Sequence, residues 1–272
     1  MKIGKIFARL LLVFVLLVAT AGAIKWWQDG QRIAHAQAAG WYQLSRAATD
    51  LLPDPATYPG ALVAVLAAPA YGWRGYFAVH PWIVYKRAGE TSYTRYEVIG
   101  WHRHNPLRHN HMQADGLWYG AMPDLLVLHQ GQAAHDLIEP IELAIQEYAY
   151  ANTYRTFPGP NSNTFVAHIG RHVPKLGLDL PPTAIGKDYR ALSAPVGLPP
   201  SGRGLQVSLE GLLGLIVSPK EGLEINLLGL GVGIDLDCPG LRLPFIGRLG
   251  PNIKGLAQSC APDRADLNWE AS

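Results

Sequence analysis

The stretch "FPGPNSNTFVAH", Phe157 to His168, sets two prolines, a glycine and three small polar residues directly ahead of a run with helical spacing. A helix starting near Asn161 and running to about Val173 puts Ser162, Phe165, Val166, Ile169 and Val173 on one stripe. Ser162 then tops the apolar face and points at whatever the helix packs on. Two readings follow. Asn161 or Ser162 can simply cap the helix, since both residue types are preferred there and Pro160 is an ordinary first-turn residue. Alternatively, the helix start presents a nucleophile, because its free N–H groups and positive dipole end favour the negative charge that an attacked carbonyl develops.

A nucleophilic serine needs a base. "GYFAVHPWIVYK" (Gly75–Lys86) and "SYTRYEVIGW" (Ser92–Trp101) are rich in aromatic and β-branched residues and read as a hairpin turning through "RAGET". His80 shares one strand face with Trp82 and Val84, while Val79, Ile83 and Tyr85 take the other, so its imidazole is covered and requires a partner. Pro81 cannot donate to a ladder, which implies an edge or a bulge that re-aims His80. Either His80 is a packed structural histidine or it is the base facing Ser162. On the adjacent strand Glu97 lies opposite the His80 region and can orient the ring; its other reading is a surface pair with Arg95. Asn161 and Asn163 can supply amide donors to an oxyanion or substrate, or serve the turn and cap.

A short apolar strand, Ala61–Ala68, precedes this hairpin, and helical spacing is expected between Asp124 and Tyr154, with Pro140 as a kink or restart. "LPPTAIGKDY" and the Pro/Gly-rich passage through Arg203 read as a linker. Beyond it "GLQVSLEGL" (Gly204–Leu212) recurs 18 residues later as "GLEINLLGL" (Gly222–Leu230), with leucines, valine and isoleucine alternating against polar residues. Period two predicts a β-meander with one buried, apolar face. "WHRHNPLRHNH" holds His102, His104, His109 and His111 but no carboxylate or cysteine at ligand spacing, so it reads as a basic loop; no metal and no cofactor is called for.

Charged residues make up 16% of the 272, and 23 Lys and Arg face 21 Asp and Glu, so the chain has no basic footprint for nucleic acid. At the N-terminus Lys2, Lys5 and Arg9 lead into an uncharged run from Leu10 to Ile24, followed by Lys25, Trp26 and Trp27. Small residues Ala19, Ala21 and Ala23 also fit a cleaved signal. The Trp pair at an interfacial position favours an uncleaved anchor, and the basic end inside sends the bulk of the chain out of the cytoplasm. In that oxidising setting Cys238 and Cys260 either pair, stapling the C-terminal tail, or remain thiols.

Together "RGYFAVHPWIVYK", "YEVIGW", "GPNSNTF" and "LPPTAIGKDY" resemble the bacterial membrane family known as domain of unknown function 3750. "NSNTF" is also similar to the Asn-Cys-x-x-Phe element of circularly permuted papain-like proteins, such as the lecithin:retinol acyltransferase-like and PPPDE peptidase groups. In those proteins a histidine strand precedes the nucleophile helix, as His80 precedes Ser162. The resemblance implies a permuted papain-like core, with serine where those proteins carry cysteine. Unlike a thiol, a serine hydroxyl is not ionised near neutrality and needs general-base assistance.

The expected architecture is α+β: a transmembrane anchor or signal (1–25), a stalk helix (26–57), a papain-like core of antiparallel sheet plus helices (58–190) and a C-terminal β appendage (191–272). The functional expectation is a protein of the inner, cytoplasmic membrane with its bulk on the periplasmic side. It would act as a hydrolase or acyltransferase on an ester or amide of cell-envelope material, with Ser162 as nucleophile, His80 as base and Glu97 as orienter. The alternative is a non-catalytic envelope protein that keeps the pocket for binding. Alkaline carbonate should leave the full chain in membranes, and protease added from the outer side should digest it; release by carbonate would reject the anchor.

Overall fold

The computed structural model describes residues 2–101 and 105–250 as an α+β chain with two antiparallel sheets. Anchor and stalk are one helix, α1 (Lys2–Ala39). The separate stalk reaching the "PDPATYPG" segment is not formed, because Gly40 adopts φ 74° and ends the helix there, the left-handed conformation that glycine adopts without a Cβ penalty. Leu11–Ala39 is long and apolar enough to cross a membrane, and that stretch is mostly open to its surroundings. Its last turns are different: Ile33 and Ala36 are buried, and Gly30 lies beside the Tyr76 hydroxyl.

The first sheet runs in the order β4 (Leu107–His109), β3 (Thr94–Val98), β2 (Val79–Lys86), β1 (Leu62–Pro69), β5 (Asp124–Gln130). β1 and β2 are buried on both faces; β1 is an unbroken apolar run, and the His80 and Lys86 that interrupt β2 are hydrogen-bonded. On one face α2 (Gly131–Gln146) and α3 (Ser162–His172) pack over Val63, Val65, Ile83 and Tyr85. The other face, with Leu62, Ala64, Trp82 and Val84, is closed by Ala36 of α1 and by Leu44, Leu52 and Trp118.

Two expectations change here. "DLLVLHQ" is not helical; it is β5, an edge strand antiparallel to β1, because a short leucine-rich run reads equally as strand or helix until its partner is known. α2 runs unbroken through Pro140, which lies on the exposed side where the missing backbone bond faces water. The β1–β2 ladder has no bulge at Pro81, which pairs regularly with Ala67. The ladder with β3 begins only at Ile83, so the Pro81 end of β2 has lost that neighbour and is locally an edge, where proline is tolerated. The hairpin's Gly89 turn forms with φ 78°. The histidine-rich loop contributes β4, with the His109 ring stacked on Tyr96; His102 and His104 lie outside the described residues.

The second sheet is a meander of seven strands, β6 (Val196–Gly197), β7 (Leu205–Leu209), β8 (Leu213–Ser218), β9 (Gly222–Leu227), β10 (Leu230–Asp235), β11 (Gly240–Leu243) and β12 (Gly247–Leu249). Leu228 and Gly229 both take positive φ in the tight turn between β9 and β10, the geometry that matches strand twist. The alternation of the repeat is present, but its sides are reversed from expectation. Gln206, Ser208, Glu224, Asn226, Asp235 and Arg242 are buried, and the aliphatic residues other than Ile216 point outward.

The physical reason lies in the segment before the sheet. Residues 180–189 are not a linker: Leu180, Thr183, Ala184, Lys187, Asp188 and Tyr189 are buried between core and meander. Glu224 accepts from Lys187 at 2.9 Å and from Arg242 at 2.8 Å, and Arg242 also meets Asp235 at 3.1 Å and Asp179 at 2.9 Å. Asn226 and Gln206 donate to Asp188 at its carboxylate and its carbonyl. The strand's polar side is therefore the one with partners, and period two alone does not say which side that is. Cys238 is buried and carries no free thiol; Cys260 lies outside the described residues. Arg242→Met, which leaves Glu224, Asp235 and Asp179 facing one another, should cost roughly 3–5 kcal/mol in a denaturant titration of the full chain in detergent; an unchanged midpoint would show that this network does not hold the sheet.

Candidate functional site

α3 begins with a complete capping box, and the box settles which residue of "PNSNTF" caps. Asn161 Oδ1 accepts from the N–H groups of Asn163 (3.0 Å) and Thr164 (3.2 Å), while Thr164 Oγ1 accepts from the N–H of Asn161 at 3.1 Å. Asn161 is the cap, so Ser162 is the first helical residue and its hydroxyl is left out of the cap. Neither that hydroxyl nor the Ser162 N–H makes a hydrogen bond among the described residues. The stripe read from the sequence is buried throughout, from Ser162 through Phe165, Val166 and Ile169 to Val173.

The two asparagines have less to give than expected. Asn161 Nδ2 donates to the carbonyls of Thr156 and Ile185, and Asn163 Nδ2 to those of Val79 and Ile185. Both N–H bonds of each amide are thus committed, and neither side chain has one left for an oxyanion. Asn163 Oδ1, by contrast, is buried without a partner among the described residues. The Asn163–Val79 bond ties the start of α3 to the backbone directly before His80.

His80 sits at the start of β2, buried, with Nε2 2.8 Å from Glu97 Oε2. Continuing the β2–β3 ladder by one residue puts Glu97 opposite Trp82, so the His80–Glu97 contact is a diagonal cross-strand pair. Glu97 is wholly buried and also accepts from Arg95 at 2.8 Å, an ion pair inside the protein rather than on its surface. Burial pushes the Glu97 carboxyl up, but Arg95 and His80 outweigh it and hold the group at about 2. For His80 burial dominates over Glu97 and lowers its pKa from the ordinary 6.5, so the imidazole is neutral at neutral pH. An ionised Glu97 only accepts, so Nε2 carries the proton and Nδ1 holds the free lone pair. Trp118 fixes the ring plane, stacked on His80 at 3.7 Å between centroids and 11° between planes. Arg95 in turn lies 4.2 Å above the Trp82 ring.

Ser162, Asn163 and His80 line one cavity of about 500 Å³, walled by Trp73, Phe77, Trp101, Trp118 and Tyr154. The structure therefore brings Ser162 and His80 to one cavity, without a direct hydrogen bond between them, while Glu97 stands behind the ring, bonded to Nε2 and outside the cavity lining. The sequence pairs Arg95 with Glu97, at the surface rather than inside, but gives no role to Trp118 as the support of His80: Trp118 lies outside every periodic segment, and its only signal is the density of aromatic residues nearby.

Fold and site describe an α+β protein with an apolar N-terminal helix of membrane-spanning length and an aromatic cavity lined by a serine and by a histidine that a buried carboxylate backs. Residues 60–189 match the model of the family described as "Protein of unknown function (DUF3750)". No curated protein and no solved structure matches the chain.

The pair has a defined acid response. The Glu97 carboxyl, lowered from 4.5 to about 2, stabilises the fold fully above 4.5 and loses that contribution as pH falls toward 2. His80, lowered from 6.5, adds a penalty for charging that grows as pH falls below 6.5. Stability of the full chain in detergent should therefore drop with pH from 6.5 downward, and Glu97→Gln should remove the part of that slope between pH 4.5 and 2. A slope unchanged by the substitution would show that Glu97 is not held ionised.

Proposed function

We propose that this chain is a membrane-tethered, extracytoplasmic hydrolase or acyltransferase with a serine version of a permuted papain-like site. The reading is carried by one observation: a neutral, plane-locked imidazole with Nδ1 free shares a cavity with a serine whose hydroxyl is spared from capping its own helix. The order of the motifs, histidine strand first and helix start second, supports it.

In this mechanism Ser162 Oγ attacks the carbonyl carbon of an ester or amide as its proton passes to His80 Nδ1. Glu97 keeps the proton on Nε2 and stabilises the imidazolium that forms. The oxyanion develops at the start of α3, where the Ser162 N–H and the helix dipole face it, in place of the committed asparagine amides. His80 returns its proton to the leaving group, and water or a second acceptor takes the acyl group from Ser162. The aromatic walls suit an apolar portion beside the scissile bond. Envelope material is the substrate class consistent with the anchor's expected orientation.

The competing reading, a non-catalytic envelope protein using the cavity for binding, is favoured by the missing Ser162–His80 hydrogen bond, although such bonds commonly tighten only with substrate present. A serine-directed fluorophosphonate probe separates the two. Purified full-length protein should label at Ser162; Ser162→Ala should abolish labelling, His80→Ala should slow it by about 100-fold or more, and Ser162→Cys should transfer reactivity to thiol reagents. A folded wild-type protein that takes no label supports the binding reading instead.

A further inference from the structure

We infer that the outward face of the C-terminal sheet lies on the membrane, its aliphatic side chains in contact with lipid. Across the sheet, registered pairs align Leu205, Val217, Leu223, Ile234, Leu241 and Leu249 in one row. Val207, Leu215, Ile225 and Val232 form a second, and Leu209, Leu213, Leu227 and Leu230 a third. No outward side chain of β7–β12 is charged or polar. Leu215 and Ile225, at the centre of the face, are 41% and 52% exposed. Ten such residues about half open to water make a patch on the order of 700 Å², beyond the roughly 300–600 Å² typical of the largest patch on a monomer. The opposite face cannot substitute for it, because its ion pairs are committed to the segment beneath.

The position of α1 identifies the occupant. β11 contacts α1, and the Phe245 ring after it lies against Gly22, 3.6 Å from where a Cβ would stand. Gly22 is inside the apolar run that ends at Ile24, about 6 Å of helix below Trp26 at 1.5 Å per residue. Leu243, on the same outward face as Leu241, is buried at this end of β11, so the face and the spanning segment meet. A sheet fastened to the membrane-length part of the helix sits at the bilayer surface. A second copy of the chain would cover the leucines but would not explain an attachment point within the apolar run. The sheet thus forms a second, broad membrane contact, which leaves the strand backbone paired within the sheet as contact with lipid requires.

The inference rests on α1 entering the membrane, and the test reads the two separately. Full-length protein carrying Leu215→Cys, Ile225→Cys or Leu16→Cys is labelled with a nitroxide and reconstituted in phosphatidylcholine–phosphatidylglycerol vesicles. Leu192→Cys, on the exposed segment before the sheet, serves as the aqueous reference. Oxygen should relax the labels at residues 215 and 225 more than an aqueous nickel chelate does, as at residue 16, and the order should reverse at residue 192. Nickel access at 215 and 225 with residue 16 in lipid would overturn the sheet contact while leaving the anchor. Exclusion of both reagents at 215 and 225 would overturn it in favour of a protein cover, a second copy or a partner. Nickel access at residue 16 would overturn the anchor and the sheet contact with it.

Discussion

A single buried carboxylate constrains much of this core. Glu97 has no exposed surface, and an ionised group in that position is tolerated only with its charge answered at close range. Arg95 answers it from two residues away on the same strand, and His80 from the neighbouring strand. The pairing with β2 sets the diagonal, Trp82 lies under the guanidinium, and Trp118 covers the imidazole, so loops far apart in the chain are drawn to one point. The same carboxylate defines the histidine's tautomer. Structure and prospective chemistry thus share one constraint: the charge that must be neutralised inside the fold is the charge that aims the ring.

The C-terminal sheet follows the same logic on a larger scale. Glu224, Arg242, Asp235, Lys187 and Asp188 form a buried polar layer between the meander and the segment that leaves α3. Such a layer is weak evidence for stability, because desolvation offsets much of the attraction, but it tolerates few alternative registers. Committing the polar side inward leaves the aliphatic side outward. The arrangement suits a chain that has a nonaqueous medium on one side and would be unfavourable for one that has water all round.

Much of this was legible from residue patterns. The hairpin, the stripe on α3, the strand period of the repeat and the apolar span depend on local spacing, and each is present. The features that escaped depend on partners. The direction of burial in Leu205–Leu209 follows from Asp188, which accepts from Gln206 and Ser208 and which no window of nine residues around that strand contains. The strand at Asp124–Gln130 needed β1 beside it, and Trp118 acquires a role only when a loop folds over His80. At the site, the histidine, the serine and the carboxylate were readable as types. Asn161 was readable only as one of two possible caps, and the N–H groups of residues 163 and 164 bonding its Oδ1 decided the matter.

The direct seating of α1 on the core also sets where the site can work. A flexible tether of n residues would let a domain sweep roughly 5–6 Å × √n around its anchor. Here Ile33 and Ala36 are packed and Gly30 abuts Tyr76, so no such slack separates helix and core. From Gly22 the Phe245 ring meets Phe77, itself a wall of the cavity, at 6.4 Å between centroids. With α1 in a bilayer, the cavity stands at one fixed height, and molecules even a few nanometres away in the aqueous space are outside its range. Altitude above the bilayer becomes a filter on what the protein can meet, independent of how well any molecule fits the cavity.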